Sequence, residues 1–363
     1  MREIGSEFWL EDEFILENDY PQLPSWLELG FDNRLVLSGR TAIDLILEDL
    51  KPQIKDDTTV YFPSYCCDSM LQPFIERDIN VEFYEVYFDK GLKYKIDLDE
   101  KCDIFFAMNY FGFTESNMND FILAFKRKGI TVIEDVTHSL LSKCNAENYS
   151  HYKVASIRKW FPILSGGLAV KIEGSFTIET CNKTNNKMIQ SRYDAMALKK
   201  KYIHDYQINY NLKEIFLNLY KEANDNLNKN YRLFAMDKKS INILANSDIN
   251  SIIEKRRENA SVILDYINEN KGNDIIPVFS NLKDEDCPLF VPIIIEQNNR
   301  KKLREFLSKN NIFLPVHWGK PVLIKGEYIQ MYDRELSIVC DQRYDTQDME
   351  YTLKLMDTFV RSL

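Results

Sequence analysis

Apolar positions along this chain follow two rhythms. Short runs such as Ile104-Phe-Phe-Ala-Met108 are apolar at every position, the pattern of strands buried on both faces. Others, such as Ala42, Ile43, Leu45, Ile46 and Leu50, recur three and four residues apart, the pattern of a helix with one face in a core. Read in order, the first half predicts a lead-in at Leu35-Val-Leu37, that amphipathic helix, and a strand ending at Phe62-Pro63. A helix over 68–77, a strand through Val81-Glu-Phe-Tyr84 and the strand Ile104–Met108 follow. Next come a helix over 118–128, a strand at Thr131-Val-Ile133, and two short strands, Val154-Ala-Ser156 and Gly167–Lys171, joined by a loop carrying Lys159.

Strands separated by helices of ten to fifteen residues predict an α/β fold with a mostly parallel central sheet and helices on both faces. From about 175 to 227 the chain turns polar and helical, and 248–270 reads as one long helix. Beyond it, strands at 289–295, 312–314 and 336–339 alternate with helices at 299–309 and 346–362, which predicts a small C-terminal α/β domain. The expected division is 1–247 for a large domain and 248–363 for the small one, with the N-terminal segment packed on the latter.

Ligands bind such sheets at the carboxyl ends of the strands. Polar or special residues collect there: Ser64 to Cys67, Asn109 to Gly112, Asp135 to His138, and Ser156 to Lys159. In the run Ser156-Ile-Arg-Lys-Trp-Phe-Pro-Ile-Leu-Ser-Gly-Gly167 a lysine lies between a hydroxyl and a glycine pair. In Thr131-Val-Ile-Glu-Asp-Val-Thr-His138 an apolar strand ends in a carboxylate, with an imidazole three residues on. An amine to join an aldehyde, a carboxylate to keep a ring nitrogen protonated and a hydroxyl near a phosphate are what pyridoxal 5'-phosphate (PLP) chemistry requires. Asp135 would otherwise be costly at the end of an apolar strand. Ser38-Gly-Arg-Thr-Ala opens a helix, and free amides at a helix N-terminus suit a phosphate, with Gly39 allowing close approach.

Bulk properties exclude several other functions. A net charge of −10 argues against nucleic acid or an anionic membrane as partner, and Lys199, Lys200 and Lys201 read as a solvated helix face. Seven scattered cysteines without a Cys-x-x-Cys pair, and four histidines, predict reduced thiols and no metal site. No apolar run reaches the roughly 20 residues of a membrane span, and the first residues lack the apolar core of a signal peptide. A cytoplasmic location is expected.

Together these runs resemble the DegT/DnrJ/EryC1/StrS group of fold-type-I PLP enzymes, mostly nucleotide-sugar aminotransferases. The matching runs are Ser38–Ile43, Pro63–Tyr65, Asn109–Gly112, Glu134–His138, Ser156–Gly167 and Val316–Trp318, spread from Ser38 to the end of the chain. The resemblance implies an aminotransferase that moves an amino group from L-glutamate to a keto sugar, nucleotide-linked and destined for surface polysaccharide, in a homodimer. It makes Lys159 the cofactor lysine, Asp135 the partner of the ring nitrogen and His138 the partner of the cofactor's phenolic oxygen. Gly39, Arg40, Thr41 and Ser156 would hold the phosphate, and His317 and Trp318 would line the substrate pocket.

The chain also departs from the group. Two residues beyond Tyr65, where an aromatic ring is common, it has Cys67, so either Tyr65 supplies the ring face or stacking is absent. Asn109 stands where a histidine is frequent, and the gap from Ser156 to Lys159 is shortened. These changes leave open a dehydratase, which Lys159 argues against, an aminotransferase on a small phosphorylated ketone, or a non-catalytic protein of this fold.

Overall fold

The computed structural model describes residues 3–11, 22–143, 148–179, 182–204, 210–270 and 275–362. Strand β1 (Ile4–Gly5) and β2 (Asp32–Val36) precede helix α1 (Gly39–Asp49); β3 (Thr59–Pro63), α2 (Asp68–Ile75), β4 (Asn80–Phe88) and β5 (Leu92–Lys95) follow. Then come β6 (Ile104–Met108), α3 (Asn119–Arg127), β7 (Thr131–Asp135), β8 (Tyr152–Ala155) and β9 (Gly167–Lys171). Helices α4 (Asn186–His204), α5 (Tyr210–Lys229), α6 (Lys238–Ala245) and α7 (Ile249–Glu269) lead to β10 (Ile275–Pro277) and β11 (Phe290–Ile295). The chain closes with α8 (Gln297–Lys309), β12 (Ile312–Phe313), α9 (Gln330–Arg334), β13 (Glu335–Val339) and α10 (Thr346–Val360).

Eight strands form the main sheet in the order β2-β9-β8-β7-β6-β3-β4-β5. The central pairs β4/β3, β3/β6, β6/β7 and β7/β8 are parallel, so the expected parallel core is present. The periphery differs from expectation. β9 runs antiparallel to both β8 and β2, and β5 folds back on β4. The alternating Leu-Lys-Tyr-Lys of β5 is the half-exposed pattern of an edge strand, outside the apolar runs that mark central ones.

Ile104–Met108 is buried at all five positions, as its uniformly apolar sequence demands. Its carboxyl end, with those of β3, β7 and β8, points the intervening loops to one edge of the sheet. Ser38 caps α1 by accepting the Thr41 amide on its hydroxyl, which fixes that helix start beside the same edge. A separate antiparallel sheet, β10-β11-β13, follows α7. The N-terminal residues join this later part of the chain: β1 pairs in parallel with β12. One continuous apolar core links both sheets, from Phe105 and Ile133 to Ile263 and Val291.

Candidate active site

A cavity of about 980 Å³ opens at the carboxyl edge of the main sheet. Its wall includes Gly39, Arg40, Cys67, Asp135, Ser156, Lys159, His317 and Trp318, eight of the residues singled out in the sequence. They come from α1, the β3–α2 loop, the end of β7, the loop after β8 and the loop after β12. Segments far apart in sequence thus converge on one site.

The lysine amine is the centre of this arrangement. Lys159 ends a single 3-10 turn, Ile157–Lys159, and its Nζ lies 3.0 Å from Nε2 of His138. It also sits 5.2 Å from the centre of the Trp318 ring, which stacks on His138 at 5.5 Å and 30°. Nδ1 of His138 accepts the Phe111 amide at 3.3 Å, so in the neutral imidazole Nε2 carries the proton and aims it at the amine. Lys159 can accept that proton only as the free base. Burial lowers the affinity of this lysine for a proton, aided by the Arg158 charge and opposed by Cys67 and Asp135. Burial, together with the charges of Lys159 and His317, holds His138 well below the ordinary imidazole range. Both effects favour the uncharged form of the amine.

Asp135 is 4% exposed at the end of β7. One of its oxygens, Oδ1, accepts the Thr137 amide at 2.8 Å. Burial raises its pKa against the pull of that hydrogen bond and of Lys159. A protonated ring nitrogen is the kind of partner that would restore the charged form. Thr137, not noticed in the sequence, ties the site together: its hydroxyl accepts the Ser156 amide and its carbonyl accepts the Trp160 indole.

Four expected site residues do not reach the cavity wall. Thr41 is fully buried, and its hydroxyl donates to the carbonyl of Tyr231. Asn109 donates to Glu134 and accepts the Met118 amide, bracing the end of β6. Tyr65 is turned into an aromatic cluster with Tyr332 and Trp318, and its hydroxyl donates to Glu335. Cys67, not Tyr65, occupies the wall. His138 is also enclosed and meets the cavity only through Lys159. Sequence spacing placed these residues at the right strand ends but could not show which way each side chain turns.

On the other side His317 and Trp318 are joined by a cis peptide. The His317 amide donates to Glu335, and its ring lies 3.1 Å from the Ser337 hydroxyl, which also donates to Glu335. Glu335 is completely buried and was not predicted, since a single glutamate before an apolar strand carries no local signal. The N-terminal residues Ser6, Glu7 and Phe8 form another unexpected part of the wall. They are held by Arg192, which pairs with Glu7 at 2.9 Å, and by Arg343, which bonds the carbonyls of Ser6 and Glu7. No cluster of metal-ligating side chains occurs among the described residues, and none of their helices is long and apolar enough to cross a membrane.

No protein-family model matches the chain, and no curated protein matches it in sequence. Solved structures do resemble it. PseC from Helicobacter pylori, an aminotransferase involved in the biosynthesis of pseudoaminic acid, superposes with a TM-score of 0.67 over 100% of both chains at 14% identity. A DegT DnrJ EryC1 StrS aminotransferase from Brucella abortus gives 0.60, covering 90% of this chain and 86% of its own, also at 14% identity. NtdA from Bacillus subtilis with bound cofactor PMP gives 0.58 at 13% identity, covering 94% of this chain and 78% of its own. The chain shares its fold with these solved aminotransferases, as the resemblance read from the motifs implied.

Proposed function

We propose that the chain is a PLP-dependent aminotransferase acting on a sugar. The observation that carries this reading is the placement of Lys159 and Asp135 on the wall of one cavity beside the N-terminus of α1. The residues fit the cofactor. Asp135 offers a buried carboxylate for the ring nitrogen, Gly39 and Ser156 stand side by side at the start of α1, where a phosphate would bind, and Lys159 offers its amine. Bound there, PLP would supply the electron sink that stabilises negative charge at the substrate carbon.

The side chains then have distinct tasks. Lys159 would hold the cofactor at its aldehyde and, as a free amine, would carry a proton to and from the substrate carbon. Asp135 would keep the ring nitrogen charged. His138 orients the lysine through Nε2 and is itself fixed by the Phe111 amide. Trp318 covers the amine and narrows access for water.

The cavity also favours an anionic substrate. Eight Lys and Arg side chains line it against four carboxylates, in a chain whose net charge is −10. The cofactor's phosphate offsets part of that excess, and the remainder suits a phosphorylated or nucleotide-linked keto sugar. L-Glutamate as donor, a role in surface polysaccharide, a homodimer and a division into 1–247 and 248–363 complete the proposal. Protein loaded with pyridoxamine phosphate and mixed with a panel of keto-sugar nucleotides should regain the visible absorbance of its aldehyde form with at least one of them. L-Glutamate should then bleach it. Failure of every keto sugar and every amino donor to change the spectrum would refute transamination.

A further inference from the structure

Glu335 is completely buried at the start of β13, and three donors converge on its carboxylate. Oε2 accepts the Tyr65 hydroxyl and the His317 amide, each at 3.0 Å, and Oε1 accepts the Ser337 hydroxyl at 2.6 Å. Ser337 stands two residues along the strand, on the same face as Glu335. Its amide donates to the carbonyl of Pro315 at 3.0 Å, which lays the loop carrying His317 along β13. A staple between strand and loop needs no ionisable group, and burying one is costly. What a carboxylate adds is direction: ionised, it accepts only, so the proton of each donor must point toward it.

That direction passes to the His317 ring. Its Nδ1 lies 3.1 Å from the Ser337 hydroxyl and 3.7 Å from Oε1 of Glu335. The one hydroxyl proton of Ser337 is committed to Glu335, so the hydroxyl oxygen can only accept from the ring, and Nδ1 carries the proton. In the neutral imidazole Nε2 is then an acceptor. This nitrogen makes no hydrogen bond among the described residues, and His317 lines the cavity. Its ring centre is 5.5 Å from that of His138, the neighbour of the lysine amine. The two histidines thus hold opposite tautomers, since Nδ1 of His138 accepts the Phe111 amide and leaves the proton on Nε2.

We propose that Glu335 and Ser337 are positioning residues that fix His317 in its Nδ1-protonated tautomer, so that Nε2 accepts a hydrogen bond from a hydroxyl of the sugar substrate. The inference rests on the sugar reading given above and deepens it. A buried wall that presents a fixed acceptor rewards a substrate group that donates, and a sugar hydroxyl does so. A substrate presenting only an acceptor at that point would leave two acceptors facing each other. His317 held in this way discriminates a hydroxylated keto sugar from its deoxy analogue.

The tautomer is read by NMR of apo-protein isotopically labelled in the ring nitrogens of its four histidines, with H317Q and H138Q to assign the signals. At mildly alkaline pH, wild type should show Nε2 of His317 and Nδ1 of His138 as the nitrogens without a proton. In E335Q the Tyr65 hydroxyl and the His317 amide keep the amide oxygen on their side, which turns the new amide N–H toward Ser337. That hydroxyl then accepts from the amide and donates to Nδ1, so the tautomer of His317 should invert. With a keto-sugar nucleotide that turns over, KM for E335Q should rise by about tenfold, by more than kcat falls. Affinity for PLP should change by less than about twofold.

S337A removes the relay and keeps the carboxylate, so the ring should populate both tautomers. It carries the same test if circular dichroism shows E335Q unfolded. A proton on Nε2 in wild type, or a tautomer unmoved by either substitution, would overturn the assignment. An inverted tautomer with unchanged KM would overturn the contact with substrate. If no keto sugar turns over, the sugar reading itself has failed, and the NMR of apo-protein still decides how His317 is held.

Discussion

The Nζ of Lys159 lies 3.0 Å from Nε2 of His138, whose other ring nitrogen is already occupied by the Phe111 amide. The imidazole therefore donates, and the amine accepts. This contact, with burial, favours the free base of the residue on which the chemistry depends.

It leads directly to a pH profile. An ordinary lysine titrates near 10.5, and burial lowers that value here. The capture of PLP by apo-protein requires the free amine, so its rate should rise with pH and level off below 10.5. Stopped-flow absorbance against pH gives the midpoint. A midpoint at or above 10.5 would mean that the amine is not held neutral.

Asp135 should show opposite effects on stability and activity. Its pKa is raised in the folded protein, so its charge disfavours folding of apo-protein as pH climbs above the unfolded value of 3.8. D135N removes that charge and keeps an acceptor for the Thr137 amide. Apo-D135N should melt higher than wild type at pH 7, yet its turnover with cofactor should fall by about 10²- to 10⁴-fold. Melting curves and steady-state kinetics check the pair.

Tyr65 tests the placement of an aromatic residue away from the cofactor. Its hydroxyl donates to the buried Glu335 at 3.0 Å. Y65F should cost about 1–3 kcal/mol in stability by leaving that carboxylate short of a donor. Its affinity for PLP should change by less than about twofold. A large loss of affinity with unchanged stability would place the ring on the cofactor after all.

Trp318 covers the lysine and stacks on His138. It is half-buried, so W318A should cost about 1–3 kcal/mol. The rise in KM for the keto sugar should exceed the fall in kcat, since the ring lines the pocket and does not touch the proton in flight. Steady-state kinetics on a keto-sugar substrate separate the two parameters.

The sequence carries the sheet centre and the two chemical runs because both are local. Ile104–Met108 is apolar at every position, and Asp135 and Lys159 each stand at a strand end beside recognisable neighbours. What escaped it is non-local or directional. β1 and β12 are two residues each, too short to show a period, and pair across some three hundred residues. Glu7 and Arg343 reach the cavity only because that pairing brings the ends of the chain together. Thr41, Tyr65 and Asn109 occupy the expected positions but turn away, each drawn by a polar partner distant in sequence, Tyr231, Glu335 and Glu134 respectively.

The most direct measurement is borohydride reduction of the PLP-treated protein followed by peptide mass mapping. The cofactor should be found on Lys159, stoichiometrically, and K159A should carry none. Label spread over surface lysines, or undiminished in K159A, would contradict the account.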